Sequence, residues 1–114
     1  MSKINFQNVH TMIGADATIN GPIKLNEGII IYGNLIGDID TKGPVRVAQS
    51  ANVEGNIIGS DIRVGGTVTG NIQSSGQVVL GKACKLKGDI VYRKLLIEDG
   101  AKFEGKCDLI EQED

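Results

Sequence analysis

Bulky apolar residues recur along the chain in a fixed order, each followed two positions later by a glycine. The full phrase reads small residue, any, bulky apolar, any, Gly, any, and then Ile, with Cys in the last copy. Its central glycines are 16, 18, 15, 18 and 17 residues apart. The six copies occupy 17–23, 33–39, 51–57, 66–72, 84–90 and 101–107. A period of this kind predicts stacked structural repeats.

Apolar and polar residues alternate within each copy, which is the period of a β-strand with one buried face. A second apolar column lies between the copies, at Ile31, Val47, Val64, Leu80 and Ile97. Each repeat therefore predicts about three short strands, and no segment shows the capped 3.6-residue period of a helix. Because so short a repeat cannot close a core alone, successive repeats must coil on one another at a spacing of ~4.8 Å.

The predicted fold is all-β, a single right-handed β-helix (solenoid) of about six rungs with ~17 residues per rung. We expect a flexible tail at 1–10, the β-helix at 11–109 and an acidic tail at 110–114, with both short termini disordered. The competing fold is the left-handed coil of hexapeptide-repeat enzymes, which needs an aliphatic residue at every sixth position. The observed spacing varies between 15 and 18 residues, and such uneven corners favour the right-handed coil.

Equivalent residues of successive rungs should stack into ladders. The repeat predicts two interior ladders, separated by a glycine ladder at a bend or where no Cβ fits. On the outside, Asp38, Asn56, Asn71 and Asp89 share one column, where a row of Asn side chains can form hydrogen bonds between layers. The interior ladders are Ile19, Leu35, Val53, Val68, Leu86 and Phe103, and Ile23, Ile39, Ile57, Ile72, Ile90 and Cys107.

Composition and charge argue against several classes of function. The net charge is −2 with acids and bases interspersed, and aromatic residues make up 4% of the chain, so no nucleic-acid partner is expected. No phosphate-binding glycine loop occurs, so no nucleotide is expected either. The one histidine, His10, lies in the tail, and the acidic residues are scattered, which argues against an enzyme, a metal site and any cofactor.

The two cysteines, Cys84 and Cys107, lie in different columns and too far apart for a disulfide. We expect both to be buried thiols in a reducing compartment. Neither a signal peptide nor an apolar run long enough to span a bilayer is present, which predicts a cytoplasmic protein.

Both ends of a β-helix expose unpaired backbone groups, which soluble monomers cover with a capping helix or a charged loop. The sequence shows no such cap, so both ends are predicted to be adhesive surfaces. In the alternative interpretation, the residues that follow Phe103 cover it and it is ordinary core. The C-terminal surface would contain Leu95, Ile97, Phe103 and Cys107, and the N-terminal surface Ile13, Ile19 and Ile23.

Three segments resemble the bactofilins: Thr11-Met-Ile-Gly14, Val53-Glu-Gly-Asn-Ile57 and the run from Leu95 to Cys107 with its late Phe-x-Gly-x-Cys. The likeness covers 11–107 and preserves the order of the repeat variants. It implies a bacterial cytoskeletal protein that assembles without nucleotide into filaments, with subunits joined head-to-head and tail-to-tail. It also implies a scaffold at the inner membrane for cell-wall enzymes and for the control of cell shape.

The N-terminal segment departs from this family, in which a membrane-targeting segment often begins with an aromatic residue directly after the initiator Met. Here the aromatic residue is displaced to Phe6, so Met1, Ile4 and Phe6 are the predicted membrane contact. A monomer would bind lipid marginally and a polymer by avidity; the alternative is a polar tail with no membrane role. The competing function for the whole chain is a β-helical binding or adaptor module that does not polymerise.

Overall fold

The protein, described here by a computed structural model, is an all-β chain from residue 9 to residue 110. It has eighteen short strands arranged as six layers of three. No helix that could cross a membrane occurs within these residues.

The first three layers are β1 (Val9–Ile13), β2 (Thr18–Asn20) and β3 (Ile23–Leu25); β4 (Gly28–Ile31), β5 (Asn34–Ile36) and β6 (Ile39–Thr41); and β7 (Val45–Val47), β8 (Asn52–Glu54) and β9 (Ile57–Gly59). The last three are β10 (Ile62–Val64), β11 (Thr67–Thr69) and β12 (Ile72–Ser74); β13 (Gln77–Leu80), β14 (Lys85–Lys87) and β15 (Ile90–Tyr92); and β16 (Lys94–Ile97), β17 (Lys102–Glu104) and β18 (Cys107–Leu109). Val9 and His10, assigned to the tail by the sequence, are therefore strand residues.

Strands at equivalent positions of successive layers stack into three parallel sheets of six strands each. Sheet A contains the first strand of every layer, sheet B the second and sheet C the third. The register joins the predicted ladder positions directly, for example Val53 with Val68 and Val68 with Leu86. This arrangement confirms the predicted β-solenoid of about six turns.

The core is one continuous column of aliphatic side chains inside the three sheets. Leu35, Val53 and Val68 of sheet B are fully buried, as are Ile39 and Ile57 of sheet C. Each layer presents too few apolar side chains to exclude water alone, so burial comes from the layers above and below.

Two polar side chains, Thr41 and Ser74, are also buried among the described residues, and both have hydrogen-bond partners. The Thr41 hydroxyl donates to the Glu27 carbonyl at 2.5 Å, and the Ser74 hydroxyl donates to the Ser60 carbonyl at 2.7 Å. A buried hydroxyl with a partner avoids the desolvation cost of an orphaned one. These bonds hold the corner between sheets C and A.

The glycine ladder lies at the corner between sheets B and C. From the second layer to the sixth these glycines have φ between +145° and +154°, a region that L-residues rarely adopt. At Gly70 a Cβ would also overlap the carbonyl oxygen of Gly55 in the layer below. The repeat therefore requires glycine here for conformation and for close stacking.

A ladder of side-chain hydrogen bonds runs beside the glycines, but it does not join side chain to side chain. The Asp38 carboxylate accepts from the Asn56 backbone N–H at 2.8 Å, and the Asn56 amide oxygen accepts from the Asn71 N–H at 2.9 Å. Asn71 bonds Asp89 in the same way at 2.9 Å, and Asp89 bonds Lys106 at 3.1 Å. Asp and Asn share the column because each supplies an oxygen acceptor, and the ladder ends at Lys106 in the last described layer.

Replacing Gly70 by Ala should destabilise the protein by about 3 kcal/mol or more, since the backbone is strained for alanine and the Cβ meets the backbone of the layer below. Urea unfolding measures the change. Gly14→Ala is the matched control, because a Cβ there meets only Asp16 Oδ1 at 3.6 Å, an ordinary contact. Equal losses in the two variants would contradict this account of the ladder.

Candidate functional site

The last layer, formed by β16, β17 and β18, is less buried than the layers beneath it. Phe103 and Cys107 are only partly buried, whereas Leu86 and Ile90, directly below them in the same ladders, are 2% and 0% exposed. Ile97 is 46% exposed. The C-terminal end therefore presents apolar side chains that any internal layer would bury.

Backbone donors at this end also lack a partner among the described residues. The N–H of the last residue of each copy donates to the layer above, at 2.8 Å in all five lower layers, as from Ile90 to the Lys106 carbonyl. The equivalent group of layer six is the Cys107 N–H, and no described layer lies above it. The Gly105 N–H is a second such donor. The equivalent group one layer below, the Gly88 N–H, donates upward to the Glu104 carbonyl at 2.9 Å, and no described layer lies above Gly105.

Unpaired acceptors of layer six lie at the two other corners. At the corner between sheets C and A, the Tyr92 carbonyl accepts from Ile110 N–H at 2.7 Å, and its layer-six equivalent is the Leu109 carbonyl. Two more acceptors lie at the corner between sheets A and B. The Leu80 carbonyl accepts from Glu98 N–H and the Cys84 carbonyl from Lys102 N–H, both at 2.9 Å. Their layer-six equivalents are the carbonyls of Ile97 and Ala101. This end is thus an open β edge, with unpaired donors and acceptors surrounding an apolar centre.

The N-terminal end carries less apolar surface than predicted. Ile13 is 6% exposed, so it is largely core and offers little area for a contact. Ile19 is 38% exposed and Ile23 is partly buried, and these two remain candidates. Leu25, one strand position beyond Ile23, is also only partly buried. Sequence reasoning missed Leu25 because it follows the repeated phrase instead of belonging to it.

The predicted membrane contact, Met1, Ile4 and Phe6, lies outside the described residues.

The cysteines show no sign of a reactive thiol. Both are free; Cys84 is 1% exposed, and Cys107 is partly buried. Burial raises the pKa of Cys84 from 9.0 to about 11. The pKa of Cys107 is also raised, first by burial and then by the negative charge of Asp108. Both shifts disfavour the nucleophilic thiolate. Within the same described span, no group of three or more His, Cys, Asp or Glu side chains could hold a metal ion.

A family model described as Bactofilin, polymer-forming cytoskeletal, matches residues 11–108. The chain belongs to the bactofilin family. It is therefore a structural, polymer-forming cytoskeletal protein and not an enzyme, and the hexapeptide-repeat enzyme alternative is wrong.

Two curated bactofilins of Myxococcus xanthus (strain DK1622) are similar along most of this chain. Bactofilin BacO is 38% identical over 100 residues, which are 88% of this chain and 79% of BacO. Bactofilin BacP is 29% identical over 100 residues, again 88% of this chain but 42% of BacP. The bactofilin of Thermus thermophilus, solved by cryo-EM as double helical filaments, matches the fold with a TM-score of 0.84 at 24% identity. That match covers 89% of this chain and all of the Thermus chain.

The raised pKa of Cys84 predicts that stability falls at high pH. The folded protein holds the thiol proton more tightly than the unfolded chain, so its stabilising effect is complete below pH 9 and is lost as pH rises through about 11. We expect the free energy of unfolding to fall over this range by about 2 kcal/mol more in the parent protein than in Cys84→Ala. Urea unfolding at pH 8 to 11 measures it, and identical pH profiles would contradict the assignment.

Proposed function

We propose that this bactofilin assembles without nucleotide by end-to-end stacking of its β-helices. The open sixth layer is the observation that carries the proposal. It presents unpaired backbone donors and acceptors and partly buried Leu95, Phe103 and Cys107. A second subunit placed there would supply the hydrogen bonds and the apolar contacts that every internal layer receives from its neighbour.

The energy available at this end is sufficient for specific association. A phenylalanine side chain buries 150–250 Å² in full, and Phe103 is already partly covered, so completing its burial contributes about 2–3 kcal/mol. Each backbone hydrogen bond adds about 1 kcal/mol net. The N-terminal end has smaller apolar side chains in Ile19 and Ile23. We therefore infer that the C-terminal junction is the stronger of the two.

We propose that subunits join head-to-head and tail-to-tail into non-polar filaments, as the bactofilin resemblance implies. We further propose that two such strands pair, since the similar Thermus protein forms filaments named as double helical. In this scheme each subunit uses both ends along a strand and one lateral face between strands. The side faces that remain free would repeat along the filament and recruit partners by avidity.

In the cell, we propose a cytoplasmic filament that lies peripherally on the inner face of the cytoplasmic membrane and scaffolds cell-wall enzymes that determine cell shape. The support is family membership together with the apolar residues of the N-terminal segment, Ile4 and Phe6. A few apolar side chains bind lipid weakly one at a time, so attachment would depend on the polymer.

Replacing Phe103 by Arg should abolish filaments and leave a folded protein no larger than a dimer joined at its N-terminal ends, because a charge would then have to be desolvated at the C-terminal junction. Negative-stain microscopy in buffer without nucleotide or divalent metal scores the filaments, and circular dichroism scores the fold. Ile36→Arg is the matched control, since Ile36 is 45% exposed on the side of the rod, in the second layer and well away from the C-terminal junction. Normal filaments in Phe103→Arg would overturn the interface, and an unfolded variant would show that Phe103 is ordinary core.

Thiol protection gives an independent readout of the same junction. Cys107 should react with iodoacetamide at pH 8 in the Phe103→Arg variant, whose C-terminal end is free, and be protected in parent filaments, as shown by mass spectrometry. Cys84 serves as an internal control because it is buried in the fold itself and should remain unmodified in both samples. Equal Cys107 modification in both samples would place it outside the junction.

Deleting residues 1–8 should prevent filaments from sedimenting with liposomes while leaving assembly intact, because the deletion ends before β1. Phe103→Arg with an intact tail should bind the same liposomes at least tenfold more weakly than filaments, since it lacks avidity. Unchanged sedimentation of the truncated filaments would contradict a membrane role for Met1, Ile4 and Phe6.

A further inference from the structure

The three outer faces of the rod differ in chemistry, although the three sheets have the same architecture. Sheet B is polar, and Ile36 is the one apolar side chain among the outward positions of its strands. Sheet A stacks Arg46 directly beside Arg63 in register. Sheet C instead presents Ile58, which is 40% exposed, and Val91, which is partly exposed. Sheet C therefore has exposed apolar side chains in its third and fifth layers, whereas the most exposed ones of sheet A lie at its two ends, in Met12 and Leu96.

A groove runs along sheet C parallel to the axis of the rod. It has a volume of about 760 Å³ and extends from Asp40 in the second layer to Ile110 just after the sixth. At the layer spacing this is a length of roughly 19 Å. Small residues at the corner, such as Gly59 and Ser75, keep the groove open. Leu109, which is 63% exposed, adds apolar surface at its far end.

We propose that this groove, called the sheet C groove, is the lateral contact at which a second copy of the chain, in the neighbouring strand of the filament, packs. The inference rests on the proposed double-stranded filament and names the surface that joins its strands. End-to-end stacking leaves the sides of the rod uncovered and repeats the groove at every subunit. A contact too weak for two monomers then becomes stable along two strands.

The order of outward residues on sheet C suits a contact between identical faces. The column reads Lys24, Asp40, Ile58, Gln73, Val91 and Asp108 from the first layer to the sixth.

A two-fold axis parallel to the rods, between the two strands, places each residue of the column opposite its own copy, so that Ile58 meets Ile58 and Val91 meets Val91 in an isologous interface. The two Gln73 amides then meet, and each can donate to and accept from the other. Asp40 meets Asp40 in the same way, and Lys42, which lines that end of the groove, is placed to offset the two negative charges.

Replacing Ile58 by Arg tests the contact, with Ile36→Arg as its matched control. The two isoleucines have nearly equal exposure, 40% and 45%, and occupy outward strand positions on different sheets. Mass per unit length, measured by scanning transmission electron microscopy, counts the strands in a filament. We expect two strands in the parent protein and in Ile36→Arg. Ile58→Arg should form filaments of half the mass per unit length.

Gln73→Glu gives a second, nearly isosteric variant in case Ile58→Arg does not fold. It places two carboxylates on the proposed axis, so it should also halve the mass per unit length at pH 8. Double-stranded filaments in both groove variants would overturn the inference. Single-stranded filaments of the parent protein would also overturn it, because the groove would then be free for a different partner. A parent protein that forms no filaments at all would instead contradict the proposed function.

Discussion

Each layer of this protein is completed by the next one, and the rest of the structure depends on that constraint. A turn of three short strands can neither satisfy its own backbone groups nor bury its own aliphatic side chains. Ile90, for example, is fully buried and has its N–H paired only because β18 lies above it. Stability inside the rod and the open edge at its C-terminal end therefore have one physical cause, since the last described layer lacks the partner that every internal layer has.

The same constraint limits which side chains can point inward in the described layers. The side chains that point inward must be aliphatic, small or hydrogen-bonded hydroxyls, as Thr41 and Ser74 are, because each must fit between identical neighbours. The inward cysteine Cys84 is held as a neutral thiol by burial. Specificity is left to the surfaces, which are two unequal ends and three faces of different polarity.

Several residues show where reasoning from the sequence reaches its limit. The repeat correctly placed Phe103 above Leu86 and Cys107 above Ile90, because strand register in a coil follows directly from the spacing of the copies. It did not foresee that Ile13 is buried, since burial at an end depends on what packs beside the first layer. It predicted bonds among Asn side chains, whereas the oxygens accept from backbone N–H groups, a choice that depends on the local geometry of the corner.

The sequence by itself determined the strand content, the number of layers, the interior ladders and the position of the glycine column. All of these follow from a short period and from the steric demand for residues without a Cβ. Only the tertiary structure decided which ends and faces are apolar. Ile58, Val91 and Leu109 are far apart in the chain and belong to different repeats, and the coil alone brings them to one groove. The sequence pattern indicates which residues alternate between inward and outward positions. Residues from different repeats form a common surface only after the layers have stacked.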